Sequence, residues 1–70
     1  MKIEEKFGAR VKEIRLKKGF SQEALANEAG IDRTYMTSVE NGKRNISIQN
    51  IEKIITALNV SFYEFFKVLK

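Results

Sequence analysis

The sequence has no cysteine, histidine, proline or tryptophan, and only four glycines in 70 residues. Without cysteine there is no disulfide framework, no thiolate zinc knuckle and no thiol nucleophile. Without histidine, the side chain most used for proton transfer near neutral pH and for metal ligation is missing. No carboxylate cluster, nucleophile–base pair or metal set stands out among the remaining residues. The chain is therefore expected not to be an enzyme and to need no metal, cofactor or small-molecule ligand. The lack of proline argues against collagen-like, linker-like and all-β architectures, the last of which place turn residues roughly every 8–12 positions. No apolar run approaches the roughly 18 residues that span a bilayer, and Met1-Lys2-Ile3-Glu4-Glu5 lacks the apolar stretch of a secretory signal. A cytoplasmic protein with no membrane partner is expected. The length fits one domain over residues 1–70, with a small core drawn from 43% hydrophobic residues and little room for a sensor.

Thirteen Lys and Arg against nine Asp and Glu leave a net charge of +4. That balance suits a polyanionic partner, and it equally suits plain solubility. Composition does not separate the two.

What is present is a repeated grammar of helix starts. An apolar residue precedes Ser or Asp, and a second apolar residue follows five positions after the first: Phe20-Ser21 with Leu25, Ile31-Asp32 with Met36, Ile46-Ser47 with Ile51, and Val60-Ser61 with Phe65. Each unit is an N-cap whose side-chain oxygen accepts from an orphan backbone N–H, closed by an apolar staple. Ser61 with Glu64 forms a capping-box pattern. Gly19, Gly30 and Gly42 sit where a left-handed residue ends a helix. These signals predict five helices, at about Ile3–Lys18, Gln22–Ala29, Arg33–Glu40, Ile48–Leu58 and Phe62–Leu69. The first presents Ile3, Phe7, Val11 and Ile14 as one stripe, the fourth Ile48, Ile51, Ile55 and Leu58, both at the helical period and both expected to face a shared core.

Residues Gln22 to Val39 have the spacing of a helix-turn-helix: a short helix, a turn holding Gly30, and a second short helix. Ala26 is small where the helices face each other, and Leu25, Ala29, Ile31, Met36 and Val39 supply the inner face. A plain helical hairpin shares much of this pattern. The outer face favours DNA. With Met36 and Val39 inward, Arg33, Thr34, Thr37 and Ser38 point out, with Tyr35 and Arg44 to the side. Arg33 lies at the helix end that enters a major groove, where a guanidinium pairs bidentately with guanine, and Thr34 suits a thymine methyl or a phosphate. Gln22, at the N-terminus of the second helix, and Lys43, Arg44 and Asn45, in the loop after the third, are candidate phosphate contacts on either side.

The strings Ile14-Arg15, Gly19-Phe20-Ser21-Gln22-Glu23-Ala24-Leu25-Ala26, Ala29-Gly30-Ile31 and Val39-Glu40-Asn41-Gly42 resemble the helix-turn-helix family of bacterial and phage repressors called the xenobiotic-response-element family. Asp32-Arg33-Thr34-Tyr35, Glu40-Asn41-Gly42-Lys43-Arg44-Asn45 and the Ile-rich fourth helix are most similar to its restriction–modification controller proteins. The resemblance implies an all-α, compact five-helix domain of the lambda-repressor-like kind. It implies that Arg15 and Glu40 form a structural ion pair, and that Arg33, Thr34 and Tyr35 contact an operator with Arg44 and Asn45 at the DNA surface. Met36-Thr37-Ser38 and Lys43 depart from the usual controller pattern, so operator preference at that part of the face does not carry over.

Phe62, Tyr63, Phe65 and Phe66 crowd one short helix, more aromatic surface than one small core can bury. A homodimer through residues 48–69 is therefore expected, with Ile48, Ile55, Phe62 and Tyr63 at the interface. Such pairing sets two recognition helices about 34 Å apart on a pseudo-palindromic double-stranded operator. The expected function is sequence-specific transcriptional regulation; the resemblance to controller proteins implies that it acts as activator and repressor of the protein's own and the endonuclease promoter, with RNA polymerase a further partner. The alternatives are a phage-type or antitoxin-type repressor on the same fold, and a protein-interaction module without DNA binding.

Overall fold

The computed structural model describes residues 1–69, which form α1 (Ile3–Lys17), α2 (Gln22–Ala29), α3 (Arg33–Glu40), α4 (Ile48–Leu58) and α5 (Phe62–Phe66). Four of the helices start on the caps the sequence announces. Ser21, Asp32, Ser47 and Ser61 each accept a bond from the backbone N–H three residues on, at 3.0–3.2 Å. The apolar residues ahead of them, Phe20, Ile31, Ile46 and Val60, are partly buried against the core. At Ser61 only the cap forms, and the reciprocal bond from Glu64 is not seen. That reciprocal bond occurs instead at α1, where Glu5 accepts from the Lys2 backbone N–H at 2.9 Å. The second and third helices are joined at Gly30, which takes φ 70° and ψ 35° and lets Ile31 N–H close back onto the Ala26 carbonyl at 2.9 Å. A residue with a side chain resists that left-handed backbone.

Helix α1 packs on α3 and α4, and α2 packs on α3 and α4, around a core of Val11, Leu25, Met36, Ile54, Ile55, Leu58 and Phe65. Each such side chain, wholly removed from water, contributes about 1.5–3 kcal/mol. The approach of α1 to α3 is closest at Gly8, buried in mid-helix. A Cβ there would fall on the Val39 carbonyl oxygen and 2.9 Å from that of Glu40.

Four expectations need correction. The fifth helix stops at Phe66 rather than Leu69, and Lys67 N–H closes its end by bonding the Tyr63 carbonyl. Ile3, placed by periodicity on the core stripe of α1, is exposed because no helix covers the first turn. Ile55, expected at a dimer interface, is 0% exposed in the core of its own chain, on a helix that packs against α1 and α2. Ile48, placed by the same periodicity on the core stripe, is 76% exposed in the first turn of α4.

Candidate nucleic-acid interface

The position of α3 follows from its inner residues. Met36 and Val39 are buried and Ala26 of α2 lies beneath, so the opposite side of α3 is turned outward. Arg33 and Thr34 are fully on that side, at the N-terminal end, and Thr37 and Ser38 are half-buried along it. Lys43, Arg44 and Asn45 are exposed in the loop that follows. Lys43 N–H bonds the Ser38 carbonyl at 3.0 Å, which turns the chain sharply back beside α3. Arg44 then lies with its guanidinium carbon 5.1 Å from the centre of the Tyr35 ring, a stacked cation on an aromatic face. The structure thus joins Tyr35 to Arg44 and Ser38 to Lys43, and leaves Arg33, Thr34, Lys43, Arg44 and Asn45 exposed.

Gln22 behaves differently from the phosphate contact expected of it. Its amide is turned inward: Nε2 donates to Glu40 Oε1 at 3.0 Å and Oε1 accepts from Thr37 Oγ1 at 2.8 Å. The single hydroxyl proton of Thr37 is shared with the Arg33 carbonyl at 3.1 Å, which pins that side chain against α3. Glu40 is the hub of this network. Its carboxylate accepts from Arg15 Nε at 2.7 Å and Nη2 at 3.1 Å, in the bidentate arrangement that suits a guanidinium, and Arg15 Nη1 reaches the Phe20 carbonyl at 2.8 Å. Arg15 and Glu40 are both buried, so the pair cancels one positive and one negative charge inside the fold. Arg15 contributes nothing to the outward field. The positive charge of the interface comes from Arg33, Lys43 and Arg44.

Residues 11–65 match the model of the helix-turn-helix family. The chain belongs to that family. This helix-turn-helix protein is 45% identical over 65 residues to the control protein C.MunI of Mycoplasma sp, covering 91% of this chain and 88% of the relative. It is 49% identical to the restriction–modification controller protein C.AhdI from Aeromonas hydrophila, whose crystal structure superposes with a TM-score of 0.85 over 90% of this chain and 96% of that one. It is 39% identical to C.Esp1396I bound to a 25 base-pair operator site, with a TM-score of 0.92 over 99% and 91% of the two chains. C.Esp1396I has also been solved as a tetramer on its natural 35 base-pair operator. These relatives are control proteins.

Asn50 escaped the sequence reading. It sits in the first turn of α4, and its Nδ2 donates to the Tyr35 hydroxyl at 3.3 Å, fixing the far end of the ring that Arg44 covers. The only sequence signal was a polar residue at the border of an apolar stripe, between Ile48 and Ile51. Of the residues expected at a dimer interface, Ile48, Phe62 and Tyr63 are exposed, and Tyr63 is 77% so. No helix among the described residues is long and apolar enough to cross a membrane.

Proposed function

We propose that this helix-turn-helix protein is a sequence-specific double-stranded DNA-binding transcriptional regulator, the controller of a restriction–modification system, acting on its own and the endonuclease promoter. One observation carries the reading: the outward side of α3 offers Arg33 and Thr34 at its leading end, flanked by the Tyr35–Arg44 stack and Lys43, on a helix held rigidly from behind. Likeness to control proteins supports the assignment to this biological system. In this reading Arg33 reads a base edge, Thr34 and Thr37 add contacts within the groove, and Lys43, Arg44 and Asn45 hold phosphates. Gln22 acts from behind, by orienting Thr37. Two copies pair through Ile48, Phe62 and Tyr63, so that two recognition helices meet successive major grooves about 34 Å apart. The protein works in the cytoplasm, without catalysis, and its occupancy is set by its own concentration through pairing.

Selection of bound duplexes from a random library tests the reading and returns the operator. On that operator, Arg33→Ala is expected to weaken binding by about 1–3 kcal/mol while leaving random DNA nearly unaffected. Equal losses on both would remove Arg33 from base reading. The parent's affinity should fall with salt at a log–log slope near −0.9 per neutralised phosphate, and a flat dependence would sink the DNA reading altogether.

The Tyr35–Asn50 bond gives a second expectation. Tyr35→Phe keeps the ring under Arg44 and deletes the hydroxyl, whereas Asn50→Ala deletes the partner. Each should weaken operator binding, and the double variant should fall short of the sum by about 1 kcal/mol. Losses that simply add, measured in a double-mutant cycle, would show that Asn50 does not act through Tyr35.

A further inference from the structure

Arg10 takes no part in the interface described above, yet it is one of three buried charged residues among those described, the other two being the Arg15–Glu40 pair. It extends from α1 to the end of α5. Its Nε donates to the Phe65 carbonyl at 2.9 Å and its Nη2 to the Glu64 carbonyl at 2.8 Å. Its third nitrogen, Nη1, meets Glu13 at 3.0 Å, and its guanidinium carbon lies 5.9 Å from the Phe65 ring centre. A cation has been placed, with each of its three nitrogens bonded, on carbonyls near the end of a helix.

The helix so held has five residues. At that length nearly every backbone N–H and C=O is an end group, and isolated helices shorter than about 12 residues do not persist in water. Three devices keep α5 in place: the Ser61 cap at its start, the buried Phe65 in its middle and Arg10 at its end. A positive charge at a C-terminus also complements the helix dipole. Of the other aromatic residues, Phe62 and Tyr63 are exposed on the outer side, while Phe66, 36% exposed, also meets the Phe7 ring of α1 with centres 6.2 Å apart. Phe66 stacks edge-on against Phe65 with ring centres 4.8 Å apart, which ties it to the buried middle of α5.

We propose that Arg10 is a positioning residue for pairing: by bonding the Glu64 and Phe65 carbonyls, it holds the exposed aromatic face of α5 in the orientation that meets a second copy of this chain. The inference rests on the paired, DNA-binding reading given above, and it assigns Arg10 a role that neither face of the molecule displays. The occupant is the second copy of the paired reading: Ile48, Phe62 and Tyr63 are exposed on α4 and α5, and the related C.Esp1396I assembles as a tetramer on its operator.

Arg10→Met tests it, since methionine keeps an unbranched apolar stem over Phe65 and removes every donor. Sedimentation equilibrium of the full chain should show the dimer dissociation constant raised about tenfold or more, as expected for losing two charge-assisted bonds. Affinity for a duplex with both operator half-sites should fall, while affinity for a single half-site stays unchanged. A merely structural role would lower thermal stability and weaken both duplexes alike, with the dissociation constant within about twofold of the parent, and that result overturns the proposal. Arg10→Lys, which keeps the charge and a single donor group, should lie between the parent and Met, and it serves if Met does not fold. A Lys variant that pairs like the parent would also overturn the assignment. Glu13→Ala leaves both carbonyl bonds in place and should pair normally. Should the parent itself sediment as a monomer at every concentration, the pairing reading fails first and takes this inference with it.

Discussion

Gly8→Ala should destabilise the protein by about 3 kcal/mol, lowering its melting temperature by roughly 12–24 °C for a chain of this size. Helix propensity predicts the opposite sign, because Ala in a helix interior is favoured over Gly by about 1 kcal/mol. The tertiary contact decides. The new Cβ would overlap the Val39 carbonyl oxygen and lie 2.9 Å and 3.0 Å from the Glu40 carbonyl oxygen and carbon. These are backbone atoms, which cannot rotate aside as a side chain would. Relief requires α1 to move away from the end of α3, and that seam contains the Arg15–Glu40 pair. Circular-dichroism melts of both proteins at equal concentration check the expectation. An alanine variant as stable as the parent would mean that α1 and α3 are not in contact at Gly8.

Glu40→Ala should cost about 3–5 kcal/mol, because it strands the buried Arg15 guanidinium with the Phe20 carbonyl as its remaining partner. For a domain whose whole stability is of order 5–15 kcal/mol, that is a large share. The size of the loss measures an uncompensated buried charge rather than the net worth of the pair. Replacing both partners, Arg15→Met with Glu40→Leu, should therefore recover most of it. Glu40→Gln, which keeps an acceptor without the charge, should fall between. Urea denaturation of the four proteins checks the series, and a loss under about 1 kcal/mol for Glu40→Ala would place the pair in solvent, where such bridges contribute little. A second consequence reaches the interface. Gln22 loses its anchor on Glu40, Thr37 is released, and discrimination between operator and random DNA should fall even at temperatures where the variant is folded.

The helix starts and the helix-turn-helix were legible because their causes are local. Ser21, Asp32, Ser47 and Ser61 each bond a group three residues away, and Gly30 closes onto residues just behind it. The outward residues of α3 were legible for the same reason: once Met36 and Val39 face in, a period of 3.6 residues places Arg33, Thr34, Thr37 and Ser38. Periodicity failed where it had to choose between equivalent positions. Ile48 and Ile55 lie on one stripe of α4, and nothing in their spacing tells which end a neighbouring helix covers.

The sequence by itself determined the short-range structure: the caps, the left-handed turn, the order of five helices, and the side of α3 that faces outward. Only the tertiary structure decided that Gly8 is a point of contact, that Gln22 turns inward, that Asn50 holds Tyr35 and that Arg10 holds α5. The physical reason is chain distance. Arg10 and Phe65 are 55 positions apart, Arg15 and Glu40 are 25 apart, and Tyr35 and Asn50 are 15 apart. No period or propensity couples residues at such separations. Each of these bonds exists because packing of the core first brings two helices together, and the polar groups left facing each other at the seam must then find partners.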